Sequence, residues 1–444
     1  MNQSTKVNRK GNTVAIITMF FLFAMISFVT NLAAPVGTIW KSQYEWSGML
    51  GNLMNFLAYL FMGIPAGNML ARKGYKFTAM AALIVGVAGL FLQYMSGIMT
   101  LDGITLLWIY LSGAFVCGFS VCMLNTVGNP MLNSIGGGGN RGNQLIQAGS
   151  TFNSLAGTLT PFFVGMLIGQ ITKTTTMADV TPLVLIGMGV FALAFIILAV
   201  VRIPEPHLKK RTEGKPRKYS HSPWSFRHTT LGVIGIFFYV GIEVGIPAVL
   251  IFYLSNPAAS GITVNASAVA GSVAAVYWLL MLVGRFTGSL ISGVVSSRTQ
   301  LITVSSAAII LVVGAILTPA SLTVSTPAYS IEDGLTTASV PMSALLLVLV
   351  GLCTSVMWGG IFNLAVEGLG KYTAQASGIF MMMVVGGGVM PFIQEQIAGD
   401  SNYMASYWLV VAMLAYLLYY GLIGSKNVNT DIPVDEEPID LRDL

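Results

Sequence analysis

An all-α integral membrane fold is predicted here: twelve crossing helices in two six-helix, pseudo-symmetric halves. Three observations predict it. Only 9% of the 444 residues are charged and 55% are hydrophobic, whereas a soluble chain carries roughly a quarter charged residues to cover its surface. Twelve apolar runs reach the length of about 20 residues that a helix needs to cross the hydrocarbon core. Of the 22 Lys and Arg residues, only Lys41 and Lys173 fall in the loops of one side, the bias that places cations in the cytoplasm. The net charge of +5 therefore concerns membrane orientation rather than nucleic acid.

The apolar runs of the first half are residues 14–39, 47–70, 77–95, 104–127, 145–171 and 183–201. Those of the second are 231–254, 269–294, 301–317, 344–365, 374–397 and 404–423. Each is continuous rather than alternating, as in membrane helices and unlike barrel strands. The first follows Lys6, Arg9 and Lys10 but has no small-residue cleavage site, so it reads as a retained span rather than a signal peptide. The organisation is a first half over 1–201, a basic cytoplasmic linker over 202–230, a second half over 231–424 and an acidic tail over 425–444. Both termini are expected in the cytoplasm, with the chain in a plasma membrane, the bacterial inner membrane. Cys117, Cys122 and Cys353 all lie in apolar runs, which argues against a disulfide framework.

Motifs for enzymatic chemistry are missing. No G-x-x-x-x-G-K-[ST] loop is present to drive pumping with ATP. Gly136 to Gly139 lie between two spans with no lysine at the required spacing and read as a loop. His207, His221 and His228 fall in the linker without the paired spacing of a metal site. The sequence thus indicates no enzyme, no cofactor and no metal.

Polar side chains at membrane depth are more telling, because each is unfavourable unless paired or facing water. Of 17 acidic residues, Glu243 alone falls in the middle of a span, while Glu395 reads as a rim residue. Amides accompany it: Asn31, Asn125, Asn129, Gln147, Asn153 and Asn363. An amide both donates and accepts, so it suits sugar hydroxyls, although one alone also serves as glue between helices. Trp278 and Trp358 could cover the apolar face of a pyranose ring. Asn31, Asn125, Glu243 and Asn363 fall on spans one, four, seven and ten, as expected if those helices line one cavity. With no intramembrane cation evident beside the amides, acidic sugars are disfavoured.

A repeat survives at the cytoplasmic helix ends. Span two finishes with Gly67, Arg72, Gly74 and Lys76, and span eight with Gly284, Arg285 and Gly288, followed by Arg298. Glycine permits close helix approach, and a cation there can meet a neighbouring helix's C-terminal carbonyls. Arg285 is read as a gate or helix-end residue.

These motifs resemble the major facilitator superfamily, and within it the fucose–galactose–glucose:proton symporter family. The resemblance rests on the Pro65 to Lys76 segment (with Ala71 where the superfamily usually has an acid), on Gly128-Asn129-Pro130 and on Thr151 to Ser154. It extends to Phe238 to Val244, Gly368 to Gly370, Gln375 to Gly378 and Gly386 to Pro391. It implies a transporter importing a hexose, deoxyhexose or N-acetylhexosamine by alternating access, coupled to protons and acting as a monomer. It also implies that Asn153 contacts sugar, and that Asn31 and Asn125 stand where the family carries acids. An amide does not exchange a proton in the physiological range, so Glu243 becomes the coupling candidate. Uniport, sodium coupling and a non-transporting membrane sugar sensor are the alternatives.

Overall fold

The computed structural model describes residues 9–44, 47, 50–168, 176–203, 205, 217–218, 221–263, 266–330, 334–399, 402–434 and 439–440. The fold is helical. Among the described residues, ten helical stretches are long and apolar enough to cross a membrane. One of them, α2 (Leu50–Ile98), runs for 49 residues, about 70 Å at 1.5 Å per residue, twice what one crossing needs. Gly74 divides it: φ is 87° there, a conformation glycine adopts without the steric penalty of a side chain. Its two arms are spans two and three.

The other first-half helices are α1 (Arg9–Gln43), α3 (Gly103–Ile135), α4 (Gly139–Ile168) and α5 (Met177–Val200). Helix α4 is the most polar, with Asn143, Gln144, Gln147 and Asn153 along it, and it spans by length rather than by hydropathy. Counting both arms of α2, the first half supplies six crossings. The second half begins with α6 (Arg227–Ser255), a one-turn α7 (Pro257–Ser260), α8 (Ala266–Ile291) and α9 (Ser297–Leu317). A broken crossing follows as α10 (Met342–Thr354) and α11 (Met357–Ala365). Another is built from α12 (Thr373–Met382) and α13 (Gly386–Ala398), and α14 (Tyr403–Tyr419) completes the set.

Two details differ from the sequence expectation. Between α9 and α10 the chain forms an antiparallel hairpin, β1 (Thr323–Ser330) and β2 (Gly334–Pro341), which lies against α8. Its Val and Thr residues favour strand, a preference hidden by a search tuned to span-length runs. His228 belongs to α6 rather than to the linker. Its buried ring places Nε2 2.9 Å from the Glu367 carbonyl oxygen, as helix–helix packing requires.

The start of α1, the end of α14 and the turn leading into α6 lie on one face of the bundle, called here the terminal face. The halves meet most closely on that side. A Cβ at Gly378 of α12 would fall 2.4 Å from the Gly63 carbonyl oxygen and 2.7 Å from Gly67 Cα, both on α2. Only bare backbones approach this closely in a membrane. Gly378→Val should therefore push α2 and α12 apart, at about 1–3 kcal/mol for overpacking. A thermal melt in detergent checks this against Gly189→Ala, whose Cβ meets nothing within 4 Å and which should leave the melting temperature unchanged or slightly raised.

A proline sets one of the polar contacts between halves. Pro130 within α3 has no N–H to give the Thr126 carbonyl. That freed oxygen accepts the Ser377 hydroxyl from across the interface at 3.0 Å.

Candidate functional site

At mid-membrane a run of polar and aromatic groups passes from one half to the other and back. Glu243 Oε1 accepts from Arg285 at 2.7 Å, and the other arm of the same guanidinium donates to Ser154 Oγ at 2.5 Å. Glu243 lies on α6, Arg285 on α8 and Ser154 on α4, so the arginine ties the second half to the first. The side chains of Arg285 and Glu243 are only 10% and 15% exposed. Tyr239, one turn before Glu243, sets its hydroxyl against the pair. Its ring lies 6.1 Å from that of Trp358 on α11, whose Nε1 donates to Asn129 Oδ1 on α3 at 3.2 Å.

The depth of Arg285 corrects the sequence reading. It does not meet a neighbouring helix's C-terminal carbonyls at the terminal face but bridges Glu243 and Ser154. Ser154 lies about fifteen residues into α4, roughly 22 Å from that face at 1.5 Å per residue, and Arg285 reaches it there. Helix α8 ends at Ile291 near the first turn of α4, and the Arg285 side chain reaches from nearly two turns inside that end toward the middle of α4. A cation thus stands beside Asn153 after all. Glu243 balances its charge, so the site as a whole carries no net cation to attract an acidic sugar.

The other expected site residues divide into three groups. Asn125 donates to the Tyr59 hydroxyl at 3.0 Å, and Asn153 donates to the Phe23 carbonyl at 2.9 Å. Each leaves its amide oxygen available beside the ring of contacts just described. Asn363 lies lower: it accepts from Asn133 at 2.6 Å and donates to Ser297 Oγ at 2.8 Å. Ser297 opens α9 and Asn133 nearly closes α3, so Asn363 belongs to a clasp between halves near the terminal face, not to the mid-membrane ring. Gln147 is similarly engaged, donating to the Val356 carbonyl at 2.8 Å. Trp278 is 43% exposed and meets the ring of its neighbour Tyr277 edge-on, apart from the Trp358 stack. The side chain of Asn31 lies outside the described residues. Glu395 borders a cavity of about 460 Å³ near the ends of α6 and α13, with Phe252, Asn256 and Tyr403.

The helix-end motif is a matching pair of contacts. Lys76 Nζ donates to the carbonyls of Ala199 and Val201 at the end of α5, at 2.8 and 3.0 Å. In the second half Arg298 donates to the carbonyls of Gly421 and Leu422 just beyond α14. Each cation sits at the start of its half's third crossing and meets the negative end of the sixth. Gly67 packs on α12 and Gly74 makes the turn. Arg72 is exposed. Where Ala71 lacks a carboxylate, Glu205 supplies one, accepting from the Tyr75 and Lys76 amides at 2.8 Å each. Partial burial raises its carboxyl above the ordinary range, and the two amides draw it back. Glu205, which reaches the turn from just beyond α5, carried little signal in the sequence. Tyr239 carried a signal, its position one turn from Glu243 on the same face.

Among the described residues, no group of three or more His, Cys, Asp or Glu could hold a metal ion. A family model described as Major Facilitator Superfamily matches residues 15–393. The chain belongs to that superfamily. A glucose/galactose transporter of Brucella abortus biovar 1 is 30% identical over 421 residues, covering 92% of this chain and 93% of its own. Among solved structures, the E. coli fucose:proton symporter superposes with a TM-score of 0.76 at 17% identity, over 94% of this chain and 100% of that one. A proton:xylose symporter superposes with a TM-score of 0.69 at 11% identity, over 95% and 97%. At such identities the two structures establish the major facilitator fold for this chain and nothing finer.

Proposed function

We propose that this member of the superfamily imports a neutral monosaccharide by alternating access, driven by a proton taken up on Glu243. The observation that carries the reading is the Glu243–Arg285–Ser154 bridge, an ion pair at mid-membrane anchored in both halves. While Glu243 is ionised, Arg285 is held between the carboxylate and Ser154. A proton on Glu243 removes the charge that holds the guanidinium, loosening its hold on the first half. Asn153 and Asn125 offer amide oxygens to sugar hydroxyls nearby, and Trp358 offers an apolar ring face. The relative named for glucose and galactose supports a hexose, and a deoxyhexose or an N-acetylhexosamine has the same hydroxyl-rich chemistry. The excess of Lys and Arg in the loops on the side of the termini supports cytoplasmic termini; we read the membrane as a bacterial inner membrane and the protein as a monomer.

Counterflow in proteoliposomes tests the class of function. Saturable exchange of labelled sugar is expected from a panel of glucose, galactose, fucose and N-acetylglucosamine, whereas binding without exchange would mark a sensor. Asn153→Ala should raise the KM of the exchanged sugar about tenfold, the loss of one or two neutral hydrogen bonds. An unchanged KM removes Asn153 from the site. Varying sodium and proton gradients separately distinguishes proton coupling from sodium coupling or uniport.

A further inference from the structure

On the terminal side of the ring, Asn143 and Gln147 stand one turn apart on α4 and press against Gly359 of α11. A Cβ at 359 would meet Gln147 Nε2 at 2.7 Å and Asn143 Oδ1 at 2.9 Å, so the two amides lie against bare backbone. Both residues are 0% exposed. Neither amide atom of Asn143 has a hydrogen-bond partner, nor does Gln147 Oε1. A buried polar group left unpaired is destabilising by about 1–3 kcal/mol, so three such atoms at a helix contact are unfavourable for packing alone. This contact lies between the halves, on the surfaces that part when the protein opens toward the terminal face.

Parting them changes the chemistry of the place. Three unsatisfied amide atoms then face the opening, opposite a glycine with no side chain to obstruct an approach. The preceding residue, Trp358, adds an indole ring. Amides that both donate and accept, set beside an aromatic face, recognise a hydroxylated ring. We propose that Asn143 and Gln147, with Trp358 beside them, form a release subsite for the sugar, present only when the terminal face is open. The closed contact with Gly359 masks it. This rests on the transport reading and adds to it a second, lower position for the same neutral sugar.

Zero-trans flux of labelled D-glucose, D-galactose and L-fucose in vesicles of defined orientation tests the subsite, with KM measured separately from each side. Asn143→Leu should raise the KM from the terminal side three- to tenfold and leave the KM from the far side within twofold. Asn143→Ser, which puts a hydroxyl in place of the amide, should give a smaller rise, and it decides the matter if the Leu variant does not fold. An unchanged terminal-side KM overturns the subsite while leaving transport intact. So does a reciprocal change, rising on one side and falling on the other, because that marks a shift between conformations rather than a lost contact. Wild-type protein without saturable flux of any of the three sugars overturns the transport reading, and the subsite with it.

Discussion

Glu243→Gln should abolish accumulation of sugar against its gradient and leave counterflow intact. In a symporter carrying one proton per sugar, a gradient of one pH unit supplies about 1.4 kcal/mol, enough for roughly tenfold accumulation. Glutamine matches glutamate in shape and can still accept from Arg285, but it takes up no proton. The variant should therefore equilibrate sugar, with an accumulation ratio near one, in proteoliposomes where the wild type approaches about ten. The measurement is the steady-state internal concentration of labelled sugar after acidifying the outside. A ratio that stays near the wild-type value moves proton coupling elsewhere in the chain. A ratio of one for both proteins under a pH gradient, with accumulation restored by sodium, identifies sodium as the coupling ion.

What the sequence revealed followed from how local each signal was. Apolar run length is local, and the crossings were legible from it, α4 least plainly, including the two arms that α2 joins through Gly74. Glu243 stood out because an acid in the middle of a span is unfavourable wherever the span packs. Its partner was harder to see. Arg285 was visible, but its depth depends on where α8 ends relative to α4, which a single helix does not encode. The amides show the same limit. Asn153 and Asn363 are alike in sequence, yet one borders the ring and the other joins Asn133 and Ser297 in a clasp. Only the neighbouring helix decides between sugar contact and helix contact. Ser154, adjacent to a residue already singled out, gave no sign of its own because serine is common in membrane helices.

The ion pair also governs stability, and Arg285→Met should show it most strongly. Removing the guanidinium leaves Glu243 buried without a counter-charge. Breaking a buried pair from one side typically destabilises by about 3–5 kcal/mol. The double variant Arg285→Met, Glu243→Leu removes both charges, replaces them with side chains of similar size, and should recover most of that loss. Thermal melts of the two single variants, the double variant and the wild type form a cycle whose interaction energy isolates the pair. Arg285→Lys should fall between wild type and Arg285→Met: an ammonium restores the charge but lacks the planar fork that reaches Glu243 and Ser154 together. If Arg285→Met melts with the wild type, the charges are hydrated rather than paired in the working protein. If the double variant is no more stable than the single one, the loss comes from the packing around α8. Transport separates these roles further. The double variant should be stable yet unable to accumulate sugar, because a pair replaced by hydrocarbon holds the fold but has no proton to exchange.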